Sequence, residues 1–345
     1  MGRKTKRNIL YDPKVWDEVN PENKELVEEF LEYLRSTDHA ELTIYQYNND
    51  LRIFLCYIYE HLGNKHFTEI TKREYIRWQY KAINEYEWSP ARLSRVRATI
   101  SSLENYIEAF CDDVWPDYRP MIRKIPAPVK QAVREKTVFE AEELEEVLNW
   151  LMDTKRFEIA VALALAMYSG RRKQELPRFK LSFFEEKNVL LNSLYKSDEK
   201  IRTKGRGRNG KPLNVYVLKK NFDPWLHMWK QYIEDNHIET EWLLFDPNNP
   251  TKPVTQSRVD SWSRTISKYT EAHFGKIFYW HSQRHFQVSE LSRAGLPSEI
   301  IKDIQGWNSV ELVEVYRDID AEDEFAKYFK DGEIINTGTK TIADL

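Results

Sequence analysis

Pro116, Pro120, Pro126 and Pro128 interrupt a chain that otherwise reads as mostly helical. Proline removes a backbone donor, fixes its own φ and pushes the preceding residue out of the helical region. No helix can therefore run through residues 116–137. The segments on either side must each bury their own apolar face. A length of 345 residues is enough for two such cores. The reading is a flexible lead-in at 1–20, a helical domain at 21–115, a basic Pro-rich linker at 116–137, a second domain at 138–320 and a tail at 321–345. The fold class expected is mainly α with a small antiparallel β-sheet: an all-α helical bundle followed by an α+β domain.

The bundle is written in helical periodicity. Leu26, Val27, Phe30, Leu31 and Leu34 share one face, with Glu28, Glu29 and Glu32 outside it. Ile44, Tyr47, Leu51, Phe54, Leu55 and Ile58 make a second stripe, for which Thr43 and Gln46 are spaced as a capping box. Thr71 and Glu74 form another such pair. Ser89 before Pro90 reads as an N-cap and first helical position. Beyond the linker, a helix is expected near Ala141–Met152. A nearly all-apolar one, Phe157–Tyr168, belongs in a core. Val189–Leu194 and Val215–Leu218 read as short strands around a Gly-rich turn at Lys204–Gly210. Helices return at Trp225–Ile233, at Arg258–His273 and from His281 to about residue 330.

The two cysteines, Cys56 and Cys111, have no metal or disulfide spacing, which points to a reducing cytoplasm. The longest apolar run, ten residues from Ile159 to Tyr168, is too short to span a bilayer. No carboxylate cluster suggests a two-metal site and no P-loop is present.

Chemistry concentrates in one place. His281, Arg284 and His285 fall at i, i+3 and i+4, which puts two imidazoles and a guanidinium on one helical face. Arg172 follows the buried helix in Ser169-Gly170-Arg171-Arg172, with Glu175 three residues on. Two converging arginines repel each other unless an anion lies between them, and arginine matches phosphate bidentately. Gly306-Trp307 comes next, and Tyr316 lies nine residues beyond Trp307.

In this order and at these distances the residues resemble the tyrosine recombinase (phage integrase) family. Its pattern is Gly-x-Arg-x-x-Glu-Leu, a hairpin lysine, His-x-x-Arg-His, Gly-His/Trp and a nucleophilic tyrosine. The chain reads Gly170-Arg171-Arg172-Lys173-Gln174-Glu175-Leu176, Lys204, His281 to His285, Gly306-Trp307 and Tyr316. Thr43 to Phe54 resembles the family's core-binding domain, which makes 21–115 the core-binding domain and 138–320 the catalytic one.

The resemblance implies a site-specific recombinase that needs no metal or ATP. Tyr316 would attack a DNA phosphate and His281 would take its proton. Arg172, Arg284 and Trp307 would hold the phosphate oxygens, and Lys204 would protonate the leaving oxygen. Lys211 is the alternative hairpin lysine, and Arg171 is the rival of Arg172. Glu175 would orient Arg172. His285 would either support the site or share the proton with His281. The implied partners are double-stranded DNA with a specific site, and three further copies of the chain in a tetramer on synapsed DNA. The tail would dock a neighbouring protomer. A type IB topoisomerase-like enzyme, and a DNA-binding regulator with a relic site, are the alternatives.

A net charge of −3 sits oddly with DNA, but the charge is segregated. Residues 12–41 hold ten acidic and three basic groups, and 311–345 hold ten and four. Between them, 196–220 carry nine cations, and the linker adds six against two carboxylates. Arg92, Arg95, Arg123, Lys124, Arg202, Arg206 and Arg208 are the candidate DNA contacts. Phosphate affinity follows local cations and the counterions they displace, not the chain total. Duplex binding should therefore fall steeply with salt despite a sequence pI near 6.3. Fluorescence anisotropy across a salt series checks this, and a flat dependence contradicts it.

Overall fold

The computed structural model describes residues 12–128, 137–203 and 210–318, and the backbone of one short antiparallel strand pair, Phe329–Lys330 with Glu333–Ile334. Lys204, Arg206, Arg208 and most of the Lys204–Gly210 turn lie outside the described residues, as does the rest of the 321–345 tail. The chain divides between Glu135 and Lys136 into two compact units.

The first unit is all helical: α1 (Pro13–Glu18), α2 (Pro21–Ser36), α3 (Glu41–His61), α4 (Lys72–Asn84) and α5 (Pro90–Phe110). Residues 12–20 are not a loose lead-in. Asp12 caps α1, Asn20 caps α2, and Val19 is buried in the core. The apolar stripe of α2 is buried as the periodicity requires. Thr71 and Glu74 make the expected reciprocal cap of α4, and Ser89 accepts from the Arg92 amide at the start of α5. Thr43 and Gln46 do not cap α3, which begins earlier, after Ala40, with no side-chain cap.

The first half of the expected linker belongs to this unit. Ile122 and Ile125 are buried in its core. The buried Glu104 carboxylate accepts from the amides of Met121 and Ile122, at 3.1–3.3 Å. Arg97, also buried, donates to the carbonyls of Ile122 and Ile125 at 3.1 and 2.6 Å. Proline stops the helix here but leaves the segment free to pack, and a carboxylate and a guanidinium satisfy its backbone.

The second unit is built on α7 (Phe157–Ser169), which is buried along most of its length. Around it lie α6 (Ala141–Asp153), α8 (Lys219–Asp235), α9 (Gln256–Phe274) and α10 (Ser282–Arg293). A three-stranded antiparallel sheet places β2 (Leu194–Lys196) between β1 (Val189–Leu190) and β5 (Tyr216–Leu218). A separate hairpin pairs β3 (Ile201–Thr203) with β4 (Lys211–Leu213), so that Thr203 faces Lys211. A further pair joins β6 (Phe245–Asp246) to β7 (Asn249–Pro253).

The helical stretch expected from His281 to about residue 330 holds, among the described residues, three helices: α10, α11 (Ser298–Gln305) and α12 (Glu311–Tyr316). Gly295 and Gly306, both at positive φ, end the first two. Val288, Leu291, Ile301, Trp307 and Val313 close a small core among them. Among the described residues, no helix is long and apolar enough to cross a membrane.

Gly170 ends α7 in the left-handed region, at φ 58°. A Cβ there would drive into the side-chain amides of Gln287 and Gln305. Gly275 ends α9 at φ 67°, with nothing within 4 Å of a Cβ. Gly275→Ala should therefore cost backbone strain alone, about 1–2 kcal/mol. Gly170→Ala should cost clearly more, because two buried amides must move as well. Denaturant unfolding of the full chain checks this, and equal losses contradict it.

Candidate active site

The C-terminus of α7, the start of α10, the C-terminus of α11 and the end of α12 converge on one patch of the second unit. Gly170 turns the chain so that two consecutive arginines leave α7 in different directions. Arg171 is fully buried and turns inward, donating to the carbonyls of Ser169, Ile304 and Gln305. It ties α7 to the end of α11. Arg172 turns outward and is part-exposed. Its Nη1 lies 3.3 Å from Glu175 Oε1, and its amide donates to the other carboxylate oxygen at 3.2 Å. Glu175 is buried and orients it. Of the two arginines, Arg172 is the one that faces the site.

Arg284 is completely buried. Its Nη1 donates to Gly170 O at 3.0 Å and its Nη2 to Gln305 O at 3.3 Å, while Nε has no hydrogen-bond partner among the described residues. The guanidinium lies 4.7 Å from the Trp307 ring and 5.6 Å from the Tyr316 ring. Burial, then Arg172 and Arg171 nearby, push its pKa down to about 9. Burial likewise pushes Arg171 down to about 10, against the pull of Glu175. Glu175 offsets these buried cations only in part, and a further anion beside them would favour their charged form.

Tyr316 is the last residue of α12. Its Oη lies 3.1 Å from His281 Nε2, within hydrogen-bond distance. Its ring stacks on Trp307, with centroids 4.9 Å apart, and meets the His285 ring at 4.6 Å. Trp307 is buried, and its indole Nε1 has no hydrogen-bond partner. The structure thus gathers Arg172, Glu175, His281, Arg284, His285, Trp307 and Tyr316. It also presents two unused donors, Arg284 Nε and Trp307 Nε1, beside a phenol hydrogen-bonded to an imidazole. Such an arrangement could hold an anion beside a phenol whose proton an imidazole is placed to accept.

The hairpin reaches the same patch. Lys211 Nζ donates to Asn308 Oδ1 at 2.7 Å and lies 3.5 Å from Gly306 O. Leu213 packs where a Cβ on Gly306 would stand. Sequence reasoning missed three contributors. Gln287 donates to Tyr168 O at 2.8 Å and accepts from Gln305, bracing the Gly170 turn. Asp318 lies 3.1 Å from His285 Nδ1. Gln305 immediately precedes Gly306, and Asp318 lies two residues past Tyr316; those adjacencies were the available signals.

The candidate DNA contacts are not equivalent. Arg92 lies over Trp88 at 4.4 Å. Arg95 makes a bidentate pair with buried Asp50, at 2.8 and 3.1 Å, linking α5 to α3. Arg123 donates to Ser101 and Asn105. Lys124 and Arg202 are exposed.

Comparison with known proteins agrees with this geometry. The SPbeta prophage-derived recombinase-like protein YomM of Bacillus subtilis (strain 168) is 28% identical over 220 residues. That match spans 63% of this chain and 64% of the relative, less than two-thirds of its length. Among solved structures, XerH site-specific recombinase bound to palindromic difH substrate aligns with a TM-score of 0.63 at 16% identity, covering 95% of this chain and 99% of that one. A lambda integrase dimer bound to a COC′ core site aligns with a TM-score of 0.62 at 14% identity, covering 89% and 79%. These similarities establish the fold. The model of the phage integrase family matches residues 137–323, more than half of the sequence and the whole of the site, and the chain belongs to that family.

Proposed function

We propose that this protein is a site-specific DNA recombinase that cuts and rejoins duplex DNA through a 3′-phosphotyrosyl intermediate on Tyr316. One observation carries the reading: Tyr316 Oη sits 3.1 Å from His281 Nε2, in a cluster with Arg284 Nε and Trp307 Nε1, two buried donors that have no hydrogen-bond partner among the described residues. The prophage recombinase-like relative and the DNA-bound recombinases of the same fold support it.

A phenol attacks phosphorus well only as it loses its proton, and His281 is placed to accept it. The Tyr316 Oη–P bond forms as the P–O5′ bond breaks. Arg172, Arg284 and Trp307 hold the non-bridging oxygens, where negative charge grows in the transition state. The departing 5′ oxygen takes a proton from a hairpin lysine. Lys204 directly follows β3 and is assigned that role. Lys211, whose amine is engaged with Asn308, is the alternative. The new bond keeps the phosphodiester energy, so a 5′-hydroxyl from a partner duplex reverses the step without nucleotide. Recombination then takes four protomers on two synapsed duplexes, with the helical unit supplying further phosphate contacts.

A duplex nicked close to the cleavage point should trap a covalent protein–DNA adduct, visible on a denaturing gel. Tyr316→Phe should abolish it, and an adduct persisting in that variant overturns the assignment. Lys204→Ala should cleave the natural duplex poorly and regain rate when sulfur replaces the leaving 5′ oxygen, since a thiolate departs without a proton. Recovery in Lys211→Ala instead moves the acid to Lys211.

A further inference from the structure

We propose that His285, Ser289 and Asp318 form a clasp that sets the position of Tyr316, and that His285 is a positioning residue and not the proton acceptor. The proposal rests on the reading of Tyr316 as nucleophile. It goes beyond that reading by assigning a device that fixes the tyrosine's helix.

α12 has six residues, too few to hold a helical conformation alone. It ends at Tyr316, where the Arg317 amide donates to Val313 O at 2.9 Å. Two residues past the nucleophile, Asp318 meets α10 twice. Its amide donates to Ser289 Oγ at 2.8 Å, and its carboxylate Oδ2 lies 3.1 Å from His285 Nδ1. His285 and Ser289 are four apart, one turn of the same helical face. The His285 and Asp318 side chains are each 10% exposed, so water screens their pairing little.

The same imidazole that faces Asp318 packs against the nucleophile, at 4.6 Å between ring centroids and a tilt of 39°. Trp307 stacks on the tyrosine at 4.9 Å. The ring therefore has aromatic neighbours that limit its swing, and the backbone just beyond it is pinned to α10. The phenol oxygen bonds the other histidine, His281. The two histidines thus divide the work: His281 faces the proton, and His285 faces the carboxylate that anchors the chain. In-line attack depends on placing the oxygen to a fraction of an ångström, and a 1 Å error costs on the order of 100-fold.

The test uses the full chain and the nicked duplex under single-turnover conditions, with duplex affinity by anisotropy and thermal stability measured alongside. His285→Ala and Asp318→Ala should each slow adduct formation about 10–100-fold, while duplex affinity holds. The double variant should be no slower than either single one, because both break one clasp. Asp318→Asn keeps the amide bond to Ser289 and the side chain's shape but removes the charge facing His285, and should slow adduct formation less than Asp318→Ala; it also serves if the alanine variants fold poorly. The pH–rate profile of His285→Ala should keep the wild-type shape. Wild-type rates in the single variants, multiplicative losses in the double, a rate that merely tracks lost stability, or a changed pH profile would each overturn the clasp. Absence of any adduct on Tyr316 in the wild-type chain would instead overturn the proposed function.

Discussion

The guanidinium of Arg284 is buried without a carboxylate, held by the carbonyls of Gly170 and Gln305. Taking a charge out of water costs several kcal/mol unless something compensates for it. Two carbonyl dipoles do part of that. A second buried arginine, Arg171, worsens the balance while sharing the Gln305 carbonyl. Burial pushes both arginines down against the pull of Glu175, which leaves the pocket short of negative charge. In the proposed function a phosphate diester would carry the missing charge. It would also offer oxygens to Arg284 Nε and Trp307 Nε1, which have no hydrogen-bond partner among the described residues.

The second unit is arranged so that this deficit survives folding. Two helix C-termini, those of α7 and α11, deliver their last carbonyls to the arginines, and each ends on a left-handed glycine, Gly170 and Gly306. Helix C-termini carry the negative end of the backbone dipole, so they stabilise cations at little steric cost. Gln287 and Gln305 brace one turn, and Leu213 of the hairpin covers the other. Tyr316, the nucleophile of the proposed reaction, is then added from a short helix that contacts α10. Longer elements thus carry the arginines, and a small segment presents the phenol oxygen.

Much of this was legible in the sequence because it depends on short spacings. His281, Arg284 and His285 share a helical face by arithmetic. The helix start at Ser89-Pro90 and the Thr71–Glu74 cap follow from local rules. The choice between Arg171 and Arg172 was open on residue type alone, since both are arginines after a glycine. What separates them is burial: Arg171 is committed to carbonyls of α11, more than a hundred residues later, and Arg172 stays part-exposed beside Glu175. The contact of Asp318 was hidden for the same reason: one carboxylate among the acidic residues of 311–345 meets a partner 33 residues earlier in the chain. The linker misled in one respect. Its prolines mark the end of the bundle's helices, but they cannot show that Glu104 and Arg97 bind the following backbone into the same core.

The central claim is that guanidinium charge answers phosphate charge at the scissile position. Replacing the scissile phosphate of the nicked duplex by a neutral methylphosphonate tests it most directly. Arg172 is the variant to compare, because it is part-exposed and carries no fold-holding contact beyond Glu175. Adduct formation by Arg172→Ala relative to wild type should be severely reduced on the natural phosphate and much less so on the methylphosphonate. An equal penalty on both substrates would show that Arg172 acts by something other than charge, and would contradict the account.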